Sequence, residues 1–572
     1  MFLFSVLEAI GVGVGLVFAL PWALVLLPAE RRSTLLLALT TLALSVGSLT
    51  LWLLVLALVD ALTLGASLAG IAVLCGAGMV VAVRRGDFRL SGMQPAGVGT
   101  WGNPLLIGAA LIVLAMVILI TFSALYWPFS DFDAISIYAN HSRSIFQVRS
   151  MPDGDGLYES YPMLLPLSYV YSYLLAGEIN EYLARIVIAA LAIGSFGAAF
   201  ELGRTLVSTT VGALTALLLA LTPSYVRWGS SGYTDIPAAF FVTLALVFAA
   251  RLAQSGDDRD ALLVGILTGL AAWTKNSVLP VAGSMALWLA YLYWQRRVTW
   301  RSAGLALAGA LATAGPWYLR NVLLWGHIVA PTVWTDQAQH TVKNLAPFVT
   351  YPDRFFAPGI VFMLGFVWAL AAAFRSAGAR QDGARLLLVT VLPFAAAWWW
   401  MASYDTRFLL AALPGIAVMG AWATVAIWSA LAARYSLDLK RAFQVALLVI
   451  VLLLALPSAR KALTFKGDLA RDPLMDDDKR HRIVLGAIYD VADYLTALPA
   501  EGRLLTDNHF LPFHAGVEGR LQVIVGGLPQ RESLGRYDYL VLGGALPDVV
   551  AAEDVELLTT IGGFTVYRVV YR

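Results

Sequence analysis

The chain has 572 residues, of which 59% are hydrophobic and 13% charged, and its mean hydropathy is +0.74. A soluble domain carries about 25% charged residues, so a water-soluble globular fold is excluded. The 39 Lys and Arg against 37 Asp and Glu leave a net charge of +2, which suggests no nucleic-acid partner.

From the N-terminus, "MFLFSVLEAIG" lacks the basic flank and cleavage site of a signal peptide, so the first apolar run is predicted to be a retained helix. The run "LLLALTTLALSVGSLTLWLLVLAL" (35–58) exceeds the roughly 18–20 residues that cross a bilayer. Apolar segments fall near 4–28, 34–59, 63–83, 104–122, 182–203, 206–222, 236–253, 260–275, 277–294, 303–320, 358–374, 386–401, 408–433 and 441–457, about fourteen in all. Within the first, "GVGVG" (11–15) is small-residue helix packing, because no strand precedes it to make a nucleotide loop. Cys75 stands alone, so this chain builds neither a disulfide framework nor a Cys-based zinc site.

Basic clusters set the orientation. Arg31 and Arg32, then Arg84, Arg85 and Arg89, then Arg251 and Arg259, then Arg296, Arg297 and Arg301 mark cytoplasmic turns; Arg375, Arg380, Arg385, Arg434, Lys440 and Arg441 continue the series. Alternation then places 123–181, 223–235, 320–357, 402–407 and everything after 457 outside, with all six histidines. It closes only if the short apolar stretch 161–177, with two prolines near its start, lies in the interface without crossing. After 457 the sequence turns polar. "HRIVLGAIYDVADYLTAL" reads as one amphipathic helix, and "RLLTD", "LQVIVGG", "YDYLVLGG" and "FTVYRVVYR" read as strands. The predicted fold is therefore an all-α polytopic membrane protein with a small extracytoplasmic α/β domain. Residues 1–103 supply N-terminal transmembrane helices, 104–457 a central transmembrane domain with outer loop 123–181, and 458–572 the soluble domain.

The candidate chemistry lies on the outer side. Asp131 and Asp133 open a segment in which Ile135, Tyr138, Ser142, Ile145 and Phe146 recur at helical spacing, so 133–148 is predicted to lie flat in the interface. Either Asp, or Ser130, is an ordinary N-cap candidate there, but two carboxylates exceed what one cap requires. His141 and Arg143 follow on the same segment. Arg227, Tyr233 and Asp235 sit at a short loop; Trp317, Arg320 and His327 where another helix reaches the outside; Tyr404, Asp405 and Arg407 likewise, with Lys275 at a helix end. Ionisable groups at membrane depth cost about 2.5–3.5 kcal/mol on insertion scales and mark functional sites. Singly, each also has a bland reading as a snorkelling side chain or a local ion pair such as Arg407 with Asp405.

Sugar transfer from a lipid-linked phosphate needs this set. The lipid tail requires a site open to the bilayer, the leaving phosphate fixed cations, and the acceptor hydroxyl a carboxylate base. Asp131-Phe132-Asp133, "GYTDIPAAFF" (232–241), "GLAAWTKNSVLP" (269–280), "GPWYLRN" (315–321) and "SYDTRFLLAALPG" (403–415) occur in that order. In these motifs the chain resembles the GT-C superfamily of integral-membrane glycosyltransferases, specifically bacterial relatives of protein O-mannosyltransferases and of the aminoarabinose transferase that modifies lipid A. The resemblance implies a polyprenyl-phosphate sugar donor, an extracytoplasmic acceptor (protein, lipid or polysaccharide), inversion, and a first-loop Asp as general base: Asp133, with Asp131 as the alternative. Donor-phosphate binding is expected of Arg407, Arg320 and Lys275, and a sugar or acceptor pocket of Tyr233, Asp235, His141, Arg143 and Tyr404. Two departures stand out: Asp-Phe-Asp replaces the family's Asp-Glu, and three helices precede residue 104 where one is usual.

No metal is required by this reading; a divalent cation at Asp131 and Asp133 is the alternative use of the pair. His509, His514 and Asp507 are read as surface polar residues in preference to a zinc site. The rival functional class is a transporter or flippase of lipid-linked or envelope glycans, but the charges gather at one interface and no repeat is visible. A scaffold for envelope assembly is the third reading.

Overall fold

The computed structural model describes residues 4–88, 104–151, 159–330, 337–351, 354–435, 437–498, 501–515, 521–527, 531–548 and 550–571. Arg89 lies outside them. Among the described residues, ten helices are long and apolar enough to cross a membrane. An eleventh results if Thr209–Ala220 and Pro223–Gly229, bent by 77° at their junction, form one span. Of the fourteen expected segments, 260–275 and 303–320 fold as helices Asp258–Thr274 and Trp300–Trp325 without meeting that measure, and 441–457 falls within the 26-residue helix Leu437–Ala462. The first is only 17 residues long.

Two interfacial expectations change in the structure. Leu164–Ala176 is too short to span, but it does not lie on the surface. Residues Leu164 to Leu174 are all buried, packed among helices Thr34–Leu58, Asn140–Val148 and Glu181–Leu206. The predicted helix 133–148 forms as a π-helical turn, Ala134–Ala139, running into the α-helix Asn140–Val148. Its stripe of Ile135, Tyr138, Ser142, Ile145 and Phe146 is buried against the protein, so the amphipathic face meets the bundle and not lipid. Periodicity shows that a face is apolar; it does not say what covers it.

The tightest helix contact is between Asp258–Thr274 and Trp300–Trp325. A Cβ on Gly265 would stand 1.9 Å from the Ala306 carbonyl oxygen, and one on Gly269 1.9 Å from Thr313 Oγ1. The Gly-xxx-Gly spacing removes side chains where the backbones touch. The first of these helices ends at Thr274, and Lys275 emerges there.

In the C-terminal domain β1 (Gly502–Thr506), β2 (Leu521–Val525), β3 (Tyr539–Gly543), β4 (Val555–Ile561) and β5 (Phe564–Val569) form one sheet of order β2-β1-β3-β5-β4. The first three are parallel, and β5 runs antiparallel to both β3 and β4. Four of the five strands match the expected runs. β4 was not anticipated, because this edge strand buries little and its apolar alternation is weak. The expected single helix at 481–498 is broken at Gly486, whose φ of 60° favours glycine, into Asp477–Leu485 and Ala487–Ala497.

Gly265→Leu forces the two backbones apart. It is expected to destabilise the protein by about 1–3 kcal/mol, read as a lowered melting temperature in detergent, whereas Gly283→Leu, with open space at its Cβ, leaves it unchanged.

Candidate active site

The acidic loop, Trp127–Asp133, follows helix Pro104–Tyr126. Its backbone is held from behind by Arg185, a buried residue of helix Glu181–Leu206. That guanidinium donates to the carbonyls of Ala124, of Pro128 at 3.0 Å and of Ser230 at 2.7 Å, tying the acidic loop to the loop before Asp235. The two loops touch at Gly232, where φ is 84° and a Cβ would stand 3.0 Å from the Phe129 ring. Tyr138 and Thr234 hydroxyls meet at 3.0 Å across the same seam. The π-helical turn begins directly after Asp133, and the Asp133 side chain makes no capping bond to it. Its carboxylate is therefore turned elsewhere.

It meets Arg407, whose Nη1 lies 3.1 Å from Asp133 Oδ2. Arg407 also stands 3.9 Å from Asp235 and 3.8 Å from Asp405. Asp235 is only 2% exposed and forms an ion pair with Lys275, while Asp405 takes Arg354 at 3.2 Å. Tyr233 accepts the Asp133 N–H at 3.0 Å. Its ring stacks on Trp228, and the Arg407 guanidinium sits 4.5 Å from the centre of the Tyr233 ring. Burial raises the Asp133 carboxyl above the usual carboxylate range, with Asp235 adding to the rise and Arg407 and Lys275 opposing it. Burial works against charge on Arg407 too, yet Asp235 and Asp133 hold it firmly protonated.

Asp133, Lys275, Arg407 and Tyr404 line a cavity of about 540 Å³. Much of its remaining wall is apolar, from Leu279, Pro280, Phe394, Trp398 and Met401. Tyr233 and Asp235 stand behind this lining, in the ion-pair network. Asp131 does not line the cavity; both its oxygens are engaged by Arg227. Arg320 is not brought there either, but lies over the rings of Trp317 and Trp325 at 4.6 and 5.0 Å. His141 and Arg143 lie on helix Asn140–Val148 away from the cavity lining, and Arg143 is buried. The two loop carboxylates face different arginines, and among the described residues no three His, Cys, Asp or Glu gather as metal ligands. The donor set does not fit a divalent cation.

Sequence reasoning missed Arg185, Arg354 and Glu181. Arg185 and Glu181 sit near the start of a long apolar helix, where a charge reads as an ordinary end signal. An opposite-sign pair across more than fifty residues leaves no local pattern.

A second buried cluster joins the C-terminal domain to this end of the bundle. His481 Nε2 donates to Glu181 Oε1 at 2.8 Å, and His481 Nδ1 lies 3.0 Å from the Asp477 carbonyl oxygen. The His514 ring is edge-on to His481 at 6.0 Å. Burial alone would lower the His481 imidazole, but its hydrogen bond to Glu181 and the nearby carboxylate charges raise it to about 9 from 6.5. Burial lowers His514 to about 4; Glu181 opposes that, and His481 and Arg143 add to it.

A family model described as dolichyl-phosphate-mannose-protein mannosyltransferase matches residues 161–319. A search of curated protein sequences returns no match. Among solved structures, ArnT from Cupriavidus metallidurans bound to undecaprenyl phosphate superposes with a TM-score of 0.56 at 16% identity, covering 80% of this chain and 97% of that one. Its apo state gives 0.54 at the same identity and coverage. The chain thus has the fold of the GT-C superfamily of membrane glycosyltransferases, as the sequence motifs led one to expect.

The histidines predict a pH window. Stabilisation from protonated His481 is full below about pH 6.5 and lost as pH rises through about 9. Stabilisation from neutral His514 is present above about 6.5 and lost as pH falls towards about 4. The melting temperature is expected to peak near pH 6.5 and to fall on either side; His514→Gln should flatten the acid limb and His481→Gln the alkaline one.

Proposed function

We propose that this protein is a glycosyltransferase that moves a sugar from a polyprenyl-phosphate donor to an acceptor on the extracytoplasmic side, with inversion and with Asp133 as general base. The observation that carries this reading is that Asp133, Lys275 and Arg407 share one cavity much of whose remaining wall is apolar. An apolar wall suits a prenyl tail, two cations suit a phosphate, and a carboxylate between them suits a hydroxyl acceptor. The undecaprenyl phosphate bound by ArnT, a protein of the same fold, supports a donor of that class. The positive-inside distribution supports an outer site and an outer C-terminal domain.

The charge arrangement gives the reaction its order. Asp133 rests against Arg407 and Asp235 against Lys275, so an incoming phosphate competes with both carboxylates for their cations. Binding of the donor draws Arg407 and Lys275 onto phosphate oxygens and releases Asp133 towards the acceptor. Asp133 then takes the acceptor hydroxyl proton as that oxygen bonds to the anomeric carbon. The carbon–phosphate-oxygen bond breaks, and the phosphate leaves with the electron pair onto the two cations. Tyr233 orients Asp133 through its backbone N–H, and Tyr404 shapes the cavity. Asp131, committed to Arg227, braces the loop. Arg320, off the cavity, has no step here.

Asp133→Asn is expected to lower kcat by roughly 10²–10⁴-fold, the range of a lost general base, with normal expression and melting; Asp131→Asn loses far less. Full turnover by Asp133→Asn would remove it from the mechanism. Arg407→Ala should raise the donor KM more than the acceptor KM in a donor titration. Mass spectrometry of the purified protein should find a bound polyprenyl-phosphate lipid.

A further inference from the structure

The C-terminal domain grips the acidic loop at two points. At its base, Glu181 is 8% exposed and divides its two oxygens between two elements. Oε2 accepts the Phe129 N–H at 2.5 Å, and Oε1 accepts from His481 of helix Asp477–Leu485. Phe513 packs edge-on against Phe129 at 6.1 Å and belongs to the same apolar core as the membrane helices. At the tip, the Phe132 ring lies 5.2 Å from the His509 ring and 5.7 Å from that of Phe510. The Asn508 side chain accepts from the N–H groups of Phe510 and Leu511, which stiffens the segment that carries these rings. Phe132 is the residue between the two carboxylates, and it lines the cavity beside Asp133.

A buried ion pair is a poor adhesive, because desolvation offsets most of its attraction. Apolar residues at 181 and 481 would join the two domains at least as well. What the Glu181–His481 pair adds is direction: a carboxylate with two fixed donors sets the position of the Phe129 backbone relative to the docked domain. A base on a loop needs such support, since a reacting group must be held to within about 0.5 Å.

We propose that the C-terminal domain positions the catalytic loop, with Glu181 and His481 fixing its base at Phe129 and His509 and Phe510 fixing its tip at Phe132, so that Asp133 faces the cavity only while the domain is seated. These four are positioning residues, and the inference rests on Asp133 being the base.

The test combines hydrogen exchange across residues 127–135 with steady-state kinetics on the full chain in detergent. His481→Ala is expected to speed exchange in that stretch and to lower kcat by roughly 10²-fold, the cost of a misplacement near 1 Å, with the donor KM unchanged. His481→Gln, whose amide stands where Nε2 stood, should restore most of both. Phe510→Ala probes the tip independently and serves if His481→Ala does not fold. Unchanged exchange, faster exchange with unchanged kcat, or a loss that Gln does not rescue would each overturn the proposal. Asp133→Asn separates the two readings: if it is fully active the assignment of the base fails, while exchange in His481→Ala still reports whether the domain holds the loop.

Discussion

A carboxylate taken out of water must be met by a cation, and that constraint organises this end of the molecule. Asp131 has Arg227, Asp133 has Arg407, Asp235 has Lys275 and Asp405 has Arg354. The eight residues come from six separate loops and helix ends, so helices far apart in sequence must stop at one level. The close contact at Gly265 and Gly269 holds against its neighbour the helix from whose end Lys275 reaches Asp235. Where both partners are buried, as Asp235 and Lys275 are, removing one leaves a charge uncompensated, at a cost of about 3–5 kcal/mol.

Balanced charge alone would give a sealed cluster. Two features keep this one open. Arg407 stands within 4 Å of three carboxylates, so it can give up one and remain neutralised. Its guanidinium is also laid over aromatic rings, those of Tyr233, Phe408 and Trp228 at 4.5, 4.9 and 5.1 Å, which hold it in place by their faces without occupying its N–H groups. The backbone around it is held by a different device. Arg185 spends its hydrogen bonds on carbonyl oxygens and lines no part of the cavity. One arginine handles charge and the other handles geometry.

The sequence made the helices legible because a run of twenty apolar residues has few other uses, and it made Asp235, Lys275 and Arg407 legible because each is a charge at the end of such a run. It also offered a capping role for Asp133, which the structure does not use: the turn after it is π-helical and the carboxylate points to Arg407. Asp131 and Asp133 look equivalent in sequence and differ only in which arginine folds onto each. Arg320 and Arg143 met the same sequence criterion as Arg407 and yet lie off the cavity. Glu181 and His481 are 300 residues apart, and nothing local to either names the other. Local chemistry identifies candidates; long-range packing chooses among them.

The opposite end of the bundle sharpens that choice. It too has a cavity, of about 490 Å³, bordered by the ion pair of Arg297 and Asp382. There the arginine side chain is 38% exposed and hydrated, whereas that of Arg407 is 12% exposed. A hydrated arginine gains little by exchanging a carboxylate for a phosphate, since water already screens both. Arg407 and Lys275 sit where the dielectric is low and each carboxylate they release stays under stress. The same low dielectric that makes these charges costly to bury lets an arriving phosphate change the state of Asp133, and the proposed chemistry belongs to that end for this reason.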